Sequence, residues 1–281
     1  MLRKGIALAA LGLACIAGPA FSSEGGYKLR EVHWSFEGPF GKFDTAQVQR
    51  GYKVYREVCA SCHAMTNLHF RNLGEKGGPF YDPEFKNAND NPYVKALAKD
   101  IQVADTDQET GDPIQRPATP ADAFPSPFPN EAAARASNAG AAPPDLSSMA
   151  KAREGGPAYI YSILTGYIAV PQGLKMTAAQ NFNAYMTGDM APYWNGSHAT
   201  VPVGGFIAMP PPLAPGKVTF DDGSPSSVEQ QAKDVSAFLA WAADPKATER
   251  KQFGLAAMIY LTLFSILLWF SYKRVWRNVA H

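Results

Sequence analysis

Cys59-Ala60-Ser61-Cys62-His63 places two thiols three positions apart, with an imidazole immediately after the second. On a helical turn both sulfurs project from one face. There they can form thioethers to two vinyl groups of one porphyrin, with the ring of His63 beneath the iron. CxxCH is the attachment signature of a c-type haem. The sequence therefore predicts one covalently bound haem c, with Cys59 and Cys62 as its thioether donors and His63 as the proximal iron ligand. A zinc site would want a second CxxC or a paired HxxxH. The only other cysteine is Cys15, and no HxxxH occurs. A thioredoxin-like pair would want a βαβ setting, which the flanking residues do not suggest.

The sixth iron position decides between electron transfer and ligand chemistry. Downstream donors are His69, His198 and the methionines at 149, 176, 186, 190 and 209. Met65 follows His63 too closely to reach the opposite face. Met209 is distinguished by its setting, Gly204-Gly205-Phe206-Ile207-Ala208-Met209-Pro210-Pro211-Pro212-Leu213. The prolines lock φ and remove competing donors, making a stiff apolar strap that can hold a thioether. A thioether favours ferrous iron and raises the reduction potential. The residues alone leave Met186, Met190 and His198 open beside it.

Three helices are predicted to position these groups. The first starts at Asp44 with Gln47 as capping-box partner, and its apolar face of Val48, Tyr52 and Tyr55 leads into Cys59. The second has Pro157 in its first turn, carries Tyr159, Ile160, Ile163 and Leu164, and stops at Gly166. The third starts at Ser227 with Gln230 as partner, turns Val228, Val235, Phe238, Leu239 and Ala242 inward, and ends at Pro245. A first helix carrying haem, crossed by a last helix, is the arrangement of small c-type cytochromes, and Gly51 is suited to the close approach. The expected fold is mainly α: a class I c-type cytochrome-like haem domain with long loops. Gly 24 and Pro 23 agree with a loop-rich frame. From about 101 to 144 the pattern dissolves among prolines, which predicts a peripheral excursion or partner-contact loop.

The ends set the location. Arg3, Lys4 and the apolar run Ile6–Ala17 read as a secretory signal peptide over residues 1–22, cleaved near Ala20 to Ser23 and taking Cys15 with it. Phe253–Tyr272 is 20 residues without a charge, long enough to cross the bilayer, with Trp269 and Tyr272 suited to an interfacial belt and Lys273, Arg274 and Arg277 following. Residues 23–249 are then a periplasmic haem domain and 250–281 an anchor with a short cytoplasmic tail. Setting aside Arg3, Lys4, Lys273, Arg274 and Arg277 leaves 21 basic against 25 acidic residues, a net of −4. Acidic clusters at Asp100-Asp105-Asp107-Glu109-Asp112 and Asp221-Asp222 suit steering of a basic soluble partner. Nothing supports nucleic-acid binding.

Arg50-Gly51-Tyr52-Lys53-Val54-Tyr55 before REVCASCH, then Phe70-Arg71-Asn72-Leu73, resembles the cytochrome c1 family. So do Pro143-Pro144-Asp145-Leu146-Ser147, Lys151-Ala152-Arg153-Glu154-Gly155-Gly156, Leu164-Thr165-Gly166-Tyr167, Ala208-Met209-Pro210-Pro211, Asp221-Asp222-Gly223-Ser224-Pro225 and Ala232-Lys233-Asp234-Val235. The resemblance runs through nearly the whole mature chain. It implies that Met209 is the sixth ligand, that Arg153 and Tyr159 approach a haem propionate, and that Asn138 and Pro143 line the haem pocket. An arginine suits a carboxylate because it stays charged and offers forked donors. The resemblance also implies one-electron transfer from a Rieske iron–sulfur protein to cytochrome c. The setting would be a dimeric complex with cytochrome b in a bacterial inner membrane. Some bacterial members carry an extra disulfide that this chain lacks, so rigidity of the Met209 strap is expected from its prolines and packing.

Overall fold

The computed structural model describes residues 27–278; the signal peptide and its cleavage site lie outside the described residues. In chain order the elements are α1 (Thr45–Glu57), α2 (Pro92–Lys99), β1 (Gln102–Thr106), β2 (Pro113–Pro117), α3 (Glu131–Ser137), α4 (Met149–Ala152), α5 (Gly156–Thr165), β3 (Asn181–Asn183), β4 (Gly205–Ile207), α6 (Val228–Ala243) and α7 (Ala247–Val275), with short 3-10 turns between them. The architecture is mainly α, with one long apolar C-terminal helix, as the sequence predicts.

The caps form where the sequence places them. The Asp44 carboxylate accepts from the Gln47 N–H at 3.0 Å, and the Ser227 hydroxyl accepts from the Gln230 N–H at 3.1 Å, each satisfying one orphan donor of a first turn. The return halves of the two capping boxes do not form. Both glutamine side chains turn to the buried carboxylate of Asp234, at 3.2 Å from Gln47 and 2.9 Å from Gln230. A buried carboxylate needs donors more than a solvated helix end does. Arg50 completes the set, with Nε 2.8 Å from Asp234 Oδ2 and Nη1 2.7 Å from Asp222.

That network sits where α1 crosses α6. Gly51 makes the crossing: a Cβ built there would lie 2.0 Å from the Asp234 carbonyl oxygen and 2.7 Å from Phe238 Cβ. Around it, Val54, Leu73, Val235, Phe238 and Trp241 are fully buried, each large side chain contributing roughly 1.5–3 kcal/mol of transfer free energy. Tyr52 meets Phe238 edge-on at 5.7 Å, and Trp241 Nε1 donates to the Gly77 carbonyl at 2.8 Å. Pro157 falls in the first turn of α5 and Gly166 caps its end, as predicted.

The 101–144 stretch departs from expectation. β1 and β2 pair antiparallel from Gln102↔Pro117 to Thr106↔Pro113, and α3 follows. The segment is also docked on the core. Ala118 and Phe124 are buried, Phe124 stacks on Phe70 at 4.4 Å, and the Phe124 N–H donates to the Leu68 carbonyl. Arg116 braces it, reaching Asp122 with both terminal nitrogens at 2.8 Å and Asp105 with Nε. Much of the acidic surface is engaged within the chain: Asp105 by Arg116, Asp100 by Arg56, Asp221 by Lys53 and Asp222 by Arg50.

α6 ends at its cap Asp244, beside Pro245, and α7 begins at Ala247. The junction is tied down. Asp244 pairs with Arg250 and, at 2.9 Å, with Lys151; Lys246 pairs with Glu75 at 3.5 Å. α7 is long and apolar enough to cross a membrane, and none of its most apolar window is buried against the rest of the chain, unlike a core helix. Near its end Lys273 Nζ lies 5.2 Å over the Trp269 ring, a cation–π contact suited to an interfacial belt.

Candidate haem site

Val58, with φ −120° and ψ −55°, ends α1 and hands the chain to a 3-10 turn, Cys59–Ser61. The N–H groups of Cys62 and His63 both donate to the Cys59 carbonyl, at 3.1 and 2.9 Å. One tight turn thus carries both cysteines, Cys59 at its start and Cys62 as its C-cap. Cys59 is half-buried and Cys62 exposed. Burial pushes the Cys59 thiol up to about 12, with Lys217 opposing and Cys62 adding to the shift. A thiol so raised is not an activated redox nucleophile.

His63 Nδ1 lies 2.8 Å from the Pro144 carbonyl oxygen. A carbonyl only accepts, so Nδ1 carries the proton and donates. Desolvation lowers the His63 pKa, opposed by the Pro144 bond and the Asp145 charge. The neutral ring then presents the Nε2 lone pair, the tautomer and second contact typical of a metal-ligating histidine. Two cysteines on one turn and one oriented imidazole fit a covalently attached haem.

Residues 143–147 are clasped to the segment just after the motif. The Leu146 N–H donates to the Ala64 carbonyl at 2.8 Å. Asp145 Oδ2 accepts from the Thr66 N–H at 2.9 Å and from its hydroxyl at 2.7 Å, while Oδ1 accepts from the Ser147 N–H at 2.7 Å. Ser147 Oγ accepts from the Asn67 N–H at 3.0 Å. Burial raises the Asp145 carboxyl, but hydrogen bonds from Ser147 and Thr66 outweigh it and leave the group below its ordinary range. Pro144, Asp145, Ser147 and Thr66 were not predicted as site residues. Asp145 and Ser147 carry a weak signal, an Asx turn two residues long; the Pro144 carbonyl carries none. Asp145→Ala is expected to cost about 2 kcal/mol through unpaired donors, read as a lower guanidinium midpoint of the haem-bound chain. An unchanged midpoint would refute the clasp.

The predicted flanking residues lie as follows. Pro143, half-buried, directly precedes the His63 partner. Asn138 caps α3, its amide donating to the Ala134 carbonyl at 2.7 Å. Tyr159 on α5 is partly buried against the core, its hydroxyl 4.0 Å from Met186 Sδ. Arg153, exposed at the end of α4, reaches only the Ala152 carbonyl at 3.3 Å, and no carboxylate among the described residues pairs with it.

Hydrogen bonds hold the Met209 strap in addition to its prolines and packing. Gly204, at φ +133°, admits the turn into β4, and a Cβ there would meet Phe182 Cζ at 2.7 Å. β4 pairs with β3. The Tyr167 hydroxyl donates to the Met209 carbonyl at 2.9 Å, Lys217 to that of Pro212 at 2.7 Å, and Gln231 to that of Ala214 at 2.8 Å. Leu213 enters the main core. The other donors have other surroundings. Met190 is buried in a small cluster with Leu174 and Phe182, Met149 packs on the main core, and Met176 and His198 are exposed. His69 bridges to Ala123 through its backbone, and Met65 is fully buried.

Known proteins resemble the chain along its length. The Cytochrome C1 family matches residues 34–279. Cytochrome c1 of Rhodospirillum rubrum is 39% identical, covering 100% of this chain and 99% of the relative. Cytochrome c1 of Cereibacter sphaeroides is 40% identical, covering 99% and 97%. The cytochrome b/c1 protein of Bradyrhizobium diazoefficiens is 41% identical over 99% of this chain, which spans 41% of that longer relative. With the CxxCH turn, the oriented imidazole and the apolar tail helix in place, the match over nearly every described residue means that this chain belongs to the cytochrome c1 family of haem proteins.

Proposed function

We propose that the chain is the membrane-anchored monohaem subunit that passes single electrons from a Rieske iron–sulfur protein to a soluble or tethered cytochrome c. It would do so within a quinol–cytochrome c reductase complex. The observation that carries this reading is the 2.8 Å bond from His63 Nδ1 to the Pro144 carbonyl, which fixes the tautomer and aims Nε2 from the CxxCH turn. Cys59 and Cys62 would hold the haem as thioethers, His63 and Met209 would ligate its iron, Arg153 and Tyr159 would offer donors to a propionate, and Asn138 and Pro143 would line the pocket. When bound, the haem supplies a one-electron iron couple. The chain's residues exclude water, hold the donors in place and tune the potential; they do no bond chemistry on a substrate.

Residues 1–22 are a cleaved signal peptide, 23–249 the periplasmic domain and 250–281 the anchor with a cytoplasmic end, in a bacterial inner membrane. Cytochrome b is the proposed neighbour in a dimeric complex. A relative whose name joins b and c1, and of which this chain spans 41%, supports that pairing. A free-standing tethered shuttle wants a flexible linker before the anchor, and the Asp244–Arg250, Lys151–Asp244 and Lys246–Glu75 pairs work against one.

The test is gentle detergent extraction of the tagged chain from its native membrane, with quinol-dependent cytochrome c reduction assayed. Co-purification of a b-type cytochrome and a Rieske protein with inhibitor-sensitive turnover is expected. A stable monohaem protein recovered alone and inactive would replace this reading with a tethered shuttle.

A further inference from the structure

Where the haem domain meets α7, a cleft of about 320 Å³ opens among Phe40, Lys42, Thr248, Lys251, Gln252 and Leu255. A second cavity of about 140 Å³ is also lined by Gly41, Thr248 and Lys251. We propose that the larger cleft binds the headgroup of an anionic phospholipid of the outer leaflet. The inference rests on the reading of α7 as a membrane anchor with the haem domain outside.

Position supports it. Lys251 stands two residues before the uncharged run Phe253–Tyr272. At 1.5 Å per residue this puts its Cα about 3 Å, along the helix axis, from the start of the hydrocarbon layer. Headgroup phosphates occupy that level. The cleft volume falls in the range of small-molecule pockets.

Charge supports it independently. The junction is rich in bases, and most are already paired: Lys246 with Glu75, Arg250 and Lys151 with Asp244, and Lys76 with Glu249. Lys42 and Lys251 pair with no carboxylate among the described residues, and both line this cleft. Lys251 Nζ donates to the Phe36 carbonyl of the adjoining smaller cavity at 2.5 Å, which holds the ammonium where the two cavities adjoin and leaves its other N–H bonds to give. Thr248 and Gln252 add neutral donors. Two uncompensated ammonium groups select a lipid of net negative charge over a zwitterionic one, whose own cation they repel.

The apolar surroundings say lipid rather than free phosphate. Phe40 is 73% exposed on the loop above the helix, and Phe253 and Leu255 are 79% and 41% exposed on α7 just below. An inorganic ion has no use for these surfaces; acyl chains cover them and gain by doing so.

The experiment uses the full haem-loaded chain, delipidated in detergent and then placed in nanodiscs of phosphatidylcholine alone or with phosphatidylglycerol added. Lipid retained after detergent washing is counted by native mass spectrometry. Phosphatidylglycerol is expected to be retained at one per chain, phosphatidylcholine to wash away, and inorganic phosphate to displace nothing. The double variant Lys42→Gln, Lys251→Gln should retain phosphatidylglycerol about thirtyfold more weakly, at roughly fivefold per lysine. Lys42→Arg with Lys251→Arg should retain it, and both variants should keep the wild-type haem spectrum. Equal retention of the two lipids, displacement by phosphate, or full retention by the glutamine variant would overturn the proposal. So would carbodiimide coupling of Lys42 or Lys251 to a carboxylate of another subunit in the assembled complex, which would make the occupant a protein. The anchor reading fails separately, through recovery of the chain in the soluble fraction.

Discussion

Met209→Ala is expected to abolish cytochrome c reduction by the assembled complex, to lower the haem potential by on the order of 200 mV, and to let carbon monoxide bind the reduced chain rapidly. The size follows from the loss of a thioether that favours ferrous iron, within the roughly 0.8 V range over which axial ligands move haem potentials. The strap supports the choice of Met209. Its carbonyl is held by Tyr167, its start by β4 on β3, and its far end by Lys217, Gln231 and the burial of Leu213. A side chain on such a mount loses little entropy when it takes up a ligand position. Met190→Ala, by contrast, should weaken the small Leu174–Phe182 cluster and leave the potential near its wild-type value. Potentiometric titration and carbon monoxide difference spectra separate the two. A Met209→Ala chain with unchanged potential and no carbon monoxide adduct would return the sixth position to Met186, Met190 or His198.

Gly51→Val should prevent accumulation of folded, haem-loaded protein. The added Cβ would stand 2.0 Å from the Asp234 carbonyl oxygen, a backbone atom that no rotamer change can move. The helices must separate, which strips Phe238 and Trp241 of packing and draws Arg50 and Gln47 away from a buried carboxylate, leaving it only Gln230 of its own helix. Ordinary overpacking costs about 1–3 kcal/mol, and an uncompensated buried charge a further 3–5 kcal/mol or so. Together these approach the whole stability of a typical domain, about 5–15 kcal/mol. Gly51→Ala sets the same Cβ against the same oxygen and should also fail to accumulate, the two valine methyls only adding to the clash. Haem-stained membrane protein and thermal melts of the purified chain are the measurements. A valine variant that melts with wild type would show that the crossing is looser than its geometry.

The residues legible in the sequence are those whose partners are near in the chain or written in residue type. CxxCH is such a case, because covalent spacing sets which atoms can meet one porphyrin. Asp44 and Ser227 are others, since a cap reaches only three residues. The apolar run of α7 declares itself by length and lack of charge, and Gly51 by being the one residue able to admit a second backbone. Met209 stood out through its prolines, but choosing it over Met186, Met190 and His198 needed the family resemblance.

What failed to show in the sequence depends on which distant segments meet. Gln47 and Gln230 look like capping partners, yet Asp234, 187 positions from Gln47, draws both side chains away. The β1–β2 hairpin is hidden because its residues are mostly exposed and polar and β2 begins and ends in proline, so no alternating apolar signal marks it. The grip of Pro144 on His63, across 81 positions, is made by a backbone carbonyl, which every residue carries and which no residue type announces. The sequence by itself determined the CxxCH spacing and the uncharged apolar run of α7, on which the haem and anchor readings rest, because both are local properties of residue type and spacing. Only the tertiary structure decided the orientation of His63, the fastening of the strap and the two lysines at the root of α7 that pair with no carboxylate among the described residues, because each depends on which distant segments the closed core brings within hydrogen-bonding reach.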